Sequence, residues 1–171
     1  MKRLVVTVWI AALASVASVA SGQQAIFLVR HAEKATDSNE PGVALSEAGT
    51  ARANRLAGML KAAGITAVYA TDTVRARKTA EPLAKSMGLE IRIYAPKDAE
   101  GKPAPQILVD RLRKEEPRGV VLVVGHSNTV PELLTALGDP GKVEIPATQY
   151  DDLFVVVPRA GAAPSVVRLK Y

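Results

Sequence analysis

Val120-Val121-Leu122-Val123-Val124 runs directly into Gly125-His126-Ser127. Five apolar residues, four of them β-branched, closed by a glycine read as a strand buried on both faces, as found at the centre of a parallel sheet. A second run, Ala25-Ile26-Phe27-Leu28-Val29, has the same layout and passes into Arg30-His31-Ala32-Glu33-Lys34. In open α/β sheets the carboxyl ends of parallel strands line the rim where ligands bind. The chain has only two histidines, and each stands two residues beyond one of these strands. That placement makes them neighbours across a pocket rather than scattered surface residues.

Working outward, strands and helices alternate. Ser46 caps a helix carrying Ala48, Ala51, Arg52, Arg55, Leu56, Met59, Leu60 and Ala63 on a helical period, with Gly64 as its closing residue. Ile65–Ala70 reads as the second strand and 73–87 as the second helix, striped by Ala76, Ala80, Leu83, Ala84 and Met87 and stopped by Gly88. Leu89–Ala95 is the third strand, Pro103–Glu116 the third helix and Val130–Leu137 a short fourth. Leu153–Val157 and Val166–Leu169 close the chain, with Arg159–Pro164 as a hairpin loop. This order gives a three-layer α/β/α sandwich on a mainly parallel sheet with a C-terminal antiparallel hairpin.

Composition narrows the chemistry. The 171 residues contain no cysteine, which removes disulfides, thiolate catalysis and thiolate metal sites. Two histidines cannot build a three-histidine zinc centre, and no HExxH occurs. No metal or other cofactor is therefore expected. Residues 1–20 have the layout of a secretory signal peptide: Lys2-Arg3, the apolar stretch Leu4–Leu13, then Ser18-Val19-Ala20. Cleavage near Ala20 leaves 21–171 as a single domain and a periplasmic or secreted protein. The competing reading is a retained anchor, but no positive stop-transfer flank follows. Losing Lys2 and Arg3 lowers the formal charge from +5 to +3. No basic stripe is visible and the single tryptophan, Trp9, lies in the leader. Nucleic acid is thus not an expected partner, nor is stable membrane insertion after cleavage.

The segment Ala70-Thr71-Asp72-Thr73-Val74-Arg75-Ala76-Arg77-Lys78-Thr79 leaves the second strand and enters the second helix, on the histidine rim. Arginine forks and a helix N-terminus with open N–H groups both suit phosphate oxygens. Residues two apart do not share a helix face, so only one of Arg75 and Arg77 is expected to point into the pocket. Asp72 is expected to cap or orient the helix, and Ser127, Asn128 and Thr129 to donate to substrate or cap the fourth helix.

These blocks resemble a known family. Arg30-His31-Ala32-Glu33-Lys34 is similar to the RHGE/RHAE signature of the histidine phosphatase superfamily, the phosphoglycerate-mutase-like proteins. Tyr69–Glu81 resembles the family's YSSDL-x-RA-x-x-TAE block, and Gly125-His126-Ser127 its GH block. The resemblance implies a compact exported phosphatase. His31 takes the place of the nucleophile that becomes phosphohistidine. Arg30 and Arg75 grip the phosphoryl group, and His126 hydrogen-bonds its oxygens. Lys34, Arg77, Ser127 and Asn128 are candidate substrate contacts.

The chain also departs from the pattern. Many members place a glutamate after the third strand as general acid, where this chain has Ala95-Pro96-Lys97-Asp98-Ala99-Glu100-Gly101. The aspartate that follows the second histidine in the acid-phosphatase branch is replaced by Ser127. Glu33, Asp98 and Glu100 are the candidate proton donors. The expected activity is metal-independent hydrolysis of a phosphomonoester or related phosphoryl substrate: a small molecule, sugar, lipid or protein. A mutase and a non-catalytic phosphate-binding protein are the alternatives. The missing acid block, the short chain and export disfavour the first, and retention of Arg30, His31, Arg75 and His126 disfavours the second.

Overall fold

The two apolar runs lie side by side. In a computed structural model, which describes residues 25–171, strand β1 (Ala25–Arg30) pairs in parallel with the strand Val120–Gly125. Ala25 faces Val120 and Arg30 faces Gly125, so the two histidines leave the sheet level with one another. The His31 N–H extends the ladder to the Gly125 carbonyl at 2.9 Å. The expected leader lies outside the described residues.

The remaining strands extend this pair in both directions. With β2 (Ala67–Thr71), β3 (Ile91–Tyr94), β4 (Val120–Gly125), β5 (Asp152–Arg159) and β6 (Ala162–Lys170), the six-stranded order is β3-β2-β4-β1-β5-β6. The first four are parallel, and β5 and β6 join antiparallel at the β1 edge. Successive strand residues point to opposite faces, and both faces are covered. Helices α1 (Glu47–Leu60) and α2 (Val74–Met87) bury Val29, Val68, Leu122, Val124 and Leu153. Helices α3 (Pro105–Glu115) and α4 (Thr129–Ala136) bury Ile26, Leu28, Tyr69, Val121, Val123 and Phe154. The expected three-layer sandwich and terminal hairpin are both present.

Local details differ from the sequence reading. The Ser46 hydroxyl does cap α1, accepting from the Gly49 N–H at 3.0 Å, a contact worth ~1 kcal/mol. The buried stripe of α1 is Gly49, Ala53, Leu56 and Leu60, whereas Met59 is 46% exposed. A Cβ on Gly49 would stand 2.2 Å from the Glu33 carbonyl oxygen, so glycine alone lets α1 lie against the histidine loop. The helix ends at Leu60. Gly64, although left-handed at φ +70°, lies beyond the Lys61 cap and does not close it. The expected six-residue hairpin loop shrinks to Ala160 and Gly161, because pairing continues to Arg159 and Ala162.

Candidate active site

The β1 exit supplies Arg30 and His31, both buried. The Nδ1 of His31 lies 2.8 Å from the Ala32 carbonyl oxygen. A carbonyl only accepts, so Nδ1 carries the proton and the neutral ring presents its lone pair at Nε2. Burial pushes the His31 pKa down to about 3, the Ala32 hydrogen bond opposes this, and the charges of His126, Arg30 and Arg75 add to the drop. The imidazole is thus neutral and nucleophilic at neutral pH.

The β4 exit supplies His126. Its ring centroid lies 5.2 Å from that of His31, with the planes at 67°. Burial, then Arg75 and Arg30, lower its pKa to about 4. Nε2 of His126 shares a 2.8 Å hydrogen bond with the Thr71 hydroxyl. The His126 N–H donates to Thr129 Oγ1 at 2.7 Å. That approach requires Gly125, because a Cβ there would meet the same oxygen at 2.5 Å. Thr129, not Asn128, therefore anchors the start of α4, and the Asn128 side chain makes no cap bond.

The arginines are held by backbone. One Arg30 nitrogen, Nη1, donates to the carbonyls of Pro146, Ala147 and Gln149 at 2.8–2.9 Å. The Arg30 guanidinium also lies 4.0 Å from the Tyr150 ring centroid, a cation–π contact. Arg75 Nη1 donates to the Glu40 carbonyl at 2.9 Å. The Thr79 hydroxyl ties the two blocks together: it accepts from the Ala32 N–H at 2.9 Å and donates to the Arg75 carbonyl at 2.8 Å. Burial lowers the pKa of both guanidiniums, yet arginine stays charged. Nε of Arg30 and Nε of Arg75 are buried with no hydrogen-bond partner. Two orphaned cationic donors beside two neutral imidazoles form a seat for an oxyanion.

These groups line a cleft of about 340 Å³ together with Lys34, Asn39, Pro96, Lys97, Ser127, Asn128, Thr129 and Glu132. A wider hollow of about 730 Å³ adjoins it, sharing Arg30, Lys34, Asn39 and Ser127, with Tyr150 on its wall. Lys34 Nζ donates to the carbonyls of Asp37 and Ser38 and to Asn39 Oδ1, which are uncharged acceptors, so its charge is not cancelled.

Several expected residues lie elsewhere. Arg77 pairs with Asp72 and lines an outer hollow with Lys78 and Glu81. Asp72 is not the cap of α2; Thr73 is, its hydroxyl accepting from the Ala76 N–H. The Val74 N–H donates to the Pro41 carbonyl and the Ala76 N–H to the Thr73 hydroxyl, so two N–H groups of the first turn of α2 are already partnered. Glu33 forms a two-pronged ion pair with Arg52 at 2.6–2.9 Å. Burial opposes ionisation of Glu33, Arg52 outweighs it, and the carboxyl is held below its usual range. Asp98 accepts from the N–H groups of Glu100 and Lys102 in its own turn. Neither Asp98 nor Glu100 lines the cleft. Thr71, Thr79, Tyr150 and Glu132 are site residues that the sequence reading did not assign. The YSSDL-like block carried the signal for Thr71 and Thr79; Tyr150 and Glu132 had none beyond residue type.

Residues 26–95 match the family model of the histidine phosphatase superfamily, branch 1. Over that segment the chain is similar to the histidine phosphatase superfamily. Solved structures share its fold. The protein histidine phosphatase SixA, complexed with tungstate, superposes with a TM-score of 0.68 at 20% identity, over 85% of this chain and 96% of that one. A mycobacterial glucosyl-3-phosphoglycerate phosphatase gives 0.66 at 17% identity, over 86% and 97%. The same phosphatase with inorganic phosphate gives 0.66 at 16% identity, over 86% and 96%. A search of curated protein sequences returns no match.

Proposed function

We propose that this protein is a metal-independent phosphatase that works through a phosphohistidine on His31. The observation that carries the reading is the pairing of an open His31 Nε2 with the orphaned Nε donors of Arg30 and Arg75. In the first step Nε2 attacks phosphorus in line while the bond to the leaving oxygen breaks. The two arginines and His126 stabilise charge on the equatorial oxygens. Water then attacks phosphorus, the P–N bond breaks, and phosphate leaves with His31 restored. Lys34, Ser127 and Asn128 line the same cleft and are placed to contact the rest of the substrate. That substrate is a phosphorylated small molecule, sugar, lipid or protein. The SixA structure is complexed with tungstate and the mycobacterial one with inorganic phosphate, oxyanions of the kind this seat suits.

Release of inorganic phosphate from phenyl phosphate by the purified protein tests the activity. Folded protein that releases none would contradict it. Isomer exchange of a phosphoglycerate without phosphate release would make the protein a mutase instead. The reading extends to export: intact mass from the native host is expected to show a start at or near Ser21. A full-length mass in washed membranes would contradict that.

A further inference from the structure

We propose that Glu132 is the proton donor to the leaving group. This rests on the phosphatase reading above. Among the described residues that line the cleft, Glu132 is the one carboxylate. It stands on the first turn of α4, half-buried. That turn is fixed to the β4 exit by the His126 N–H on Thr129 and by the Val130 N–H on the His126 carbonyl at 3.1 Å. Glu132 therefore keeps a set relation to His126 and to the phosphate seat.

Its electrostatic setting is unusual. Arg30, Arg75, Lys34 and Lys97 share the cleft, yet the Glu132 carboxyl forms no hydrogen bond or ion pair with any described side chain. Glu33 is engaged by Arg52 and Asp98 by its own turn, and Asp37 lines only the adjoining hollow. An ionised carboxylate in an anion cleft opposes phosphate binding, so a purely structural or binding role is poorly served by it.

The proton balance closes. As His31 Nε2 bonds to phosphorus and the ester P–O bond breaks, the Glu132 carboxyl gives its proton to the departing oxygen, which leaves as an alcohol. The carboxylate then takes a proton from the water that attacks the phosphohistidine, and hydrogen phosphate departs with Glu132 reprotonated. This is the exchange of roles expected of a single acid–base group in two-step transfer.

The test is the dependence of kcat/KM on leaving-group basicity in wild type and Glu132→Gln. 4-Nitrophenol leaves without help, whereas phenol and simple alcohols need the proton. E132Q is expected to lose about 10²-fold or more on phenyl phosphate but under about threefold on 4-nitrophenyl phosphate. Vanadate affinity serves as the control for folding and is expected to be equal or tighter, because a negative charge has left the cleft. An equal loss on both esters, or no loss on either, would overturn the assignment while leaving the phosphatase reading intact. A folded wild type inert toward every ester would overturn the phosphatase reading, and this inference with it.

Discussion

The exits of β1 and β4 look alike in sequence, a buried apolar strand followed within two residues by histidine, but they are wired differently. At the β1 exit the histidine spends Nδ1 on its neighbour's carbonyl, which leaves Nε2 open. At the β4 exit the histidine spends Nε2 on the Thr71 hydroxyl, which leaves Nδ1 as the free nitrogen. His31 is buried beside two arginines, and His126 is half-buried on the opposite wall. In the proposed mechanism, equal residues at equal places in the sheet divide the work, one to accept the phosphoryl group and one to flank it. Hydrogen-bond partners, not strand position, set the division.

The largest break in this comparison comes from removing each ring. His31→Ala is expected to lower turnover on the order of 10⁴-fold or more, as loss of a nucleophile does. His126→Ala removes only stabilisation of the transferred group and is expected to cost about 10²-fold. Steady-state kinetics with an aryl phosphate separates the two, and equal losses would contradict the division.

A smaller effect is expected at the arginines. Arg75→Ala removes a charge-assisted donor from the seat and should weaken vanadate binding by about 2 kcal/mol, or roughly 30-fold. Arg77→Ala breaks an exposed pair with Asp72 and should change affinity by less than about 0.5 kcal/mol. Calorimetry reads both, and an R75A affinity equal to wild type would remove Arg75 from the seat.

Thr79→Val sharpens the same point through stability. It leaves the buried Ala32 N–H without an acceptor at the β1 exit, which should cost about 1–3 kcal/mol in chemical unfolding. A valine variant as stable as wild type would show that the strut is idle.

The smallest expected effect is no change at all. With pKa values lowered to about 3 and about 4, neither ring should titrate by proton NMR between about pH 5.5 and 7.5 in the free protein. A midpoint near 6.5 in either ring would contradict the burial argument. The linkage follows the same sign. Below 6.5 the unfolded chain takes up protons that the folded rings refuse, so their contribution to stability is present above 6.5 and lost as pH falls toward 3 to 4.

The apolar runs made both exits legible, because a strand buried on two faces leaves an unbroken hydrophobic signature and a histidine after it stands out. Helix geometry admitted only one of Arg75 and Arg77 to the pocket, the family resemblance singled out Arg75, and Arg77, also a candidate substrate contact, turns outward to Asp72. The Arg30 clamp was not legible, since its acceptors are backbone carbonyls 116 to 119 residues away and a carbonyl has no sequence signature. Thr79 looked like part of a motif, and only the close contact of α2 with the β1 exit shows what its hydroxyl holds. Ser127, Asn128 and Thr129 read as substrate donors or caps because those residue types do both. Placing Glu132 in the cleft required the turn of α4 that Thr129 fixes.

His31, and not His126, is proposed to receive the phosphoryl group. The direct measurement is brief mixing with labelled phosphate ester, a quench in base, digestion and peptide mapping by mass spectrometry. Base preserves phosphohistidine and destroys an acyl phosphate. Label is expected on the peptide containing His31, present in wild type, retained in His126→Ala and absent in His31→Ala. Label on the His126 peptide, or normal turnover by His31→Ala, would contradict it.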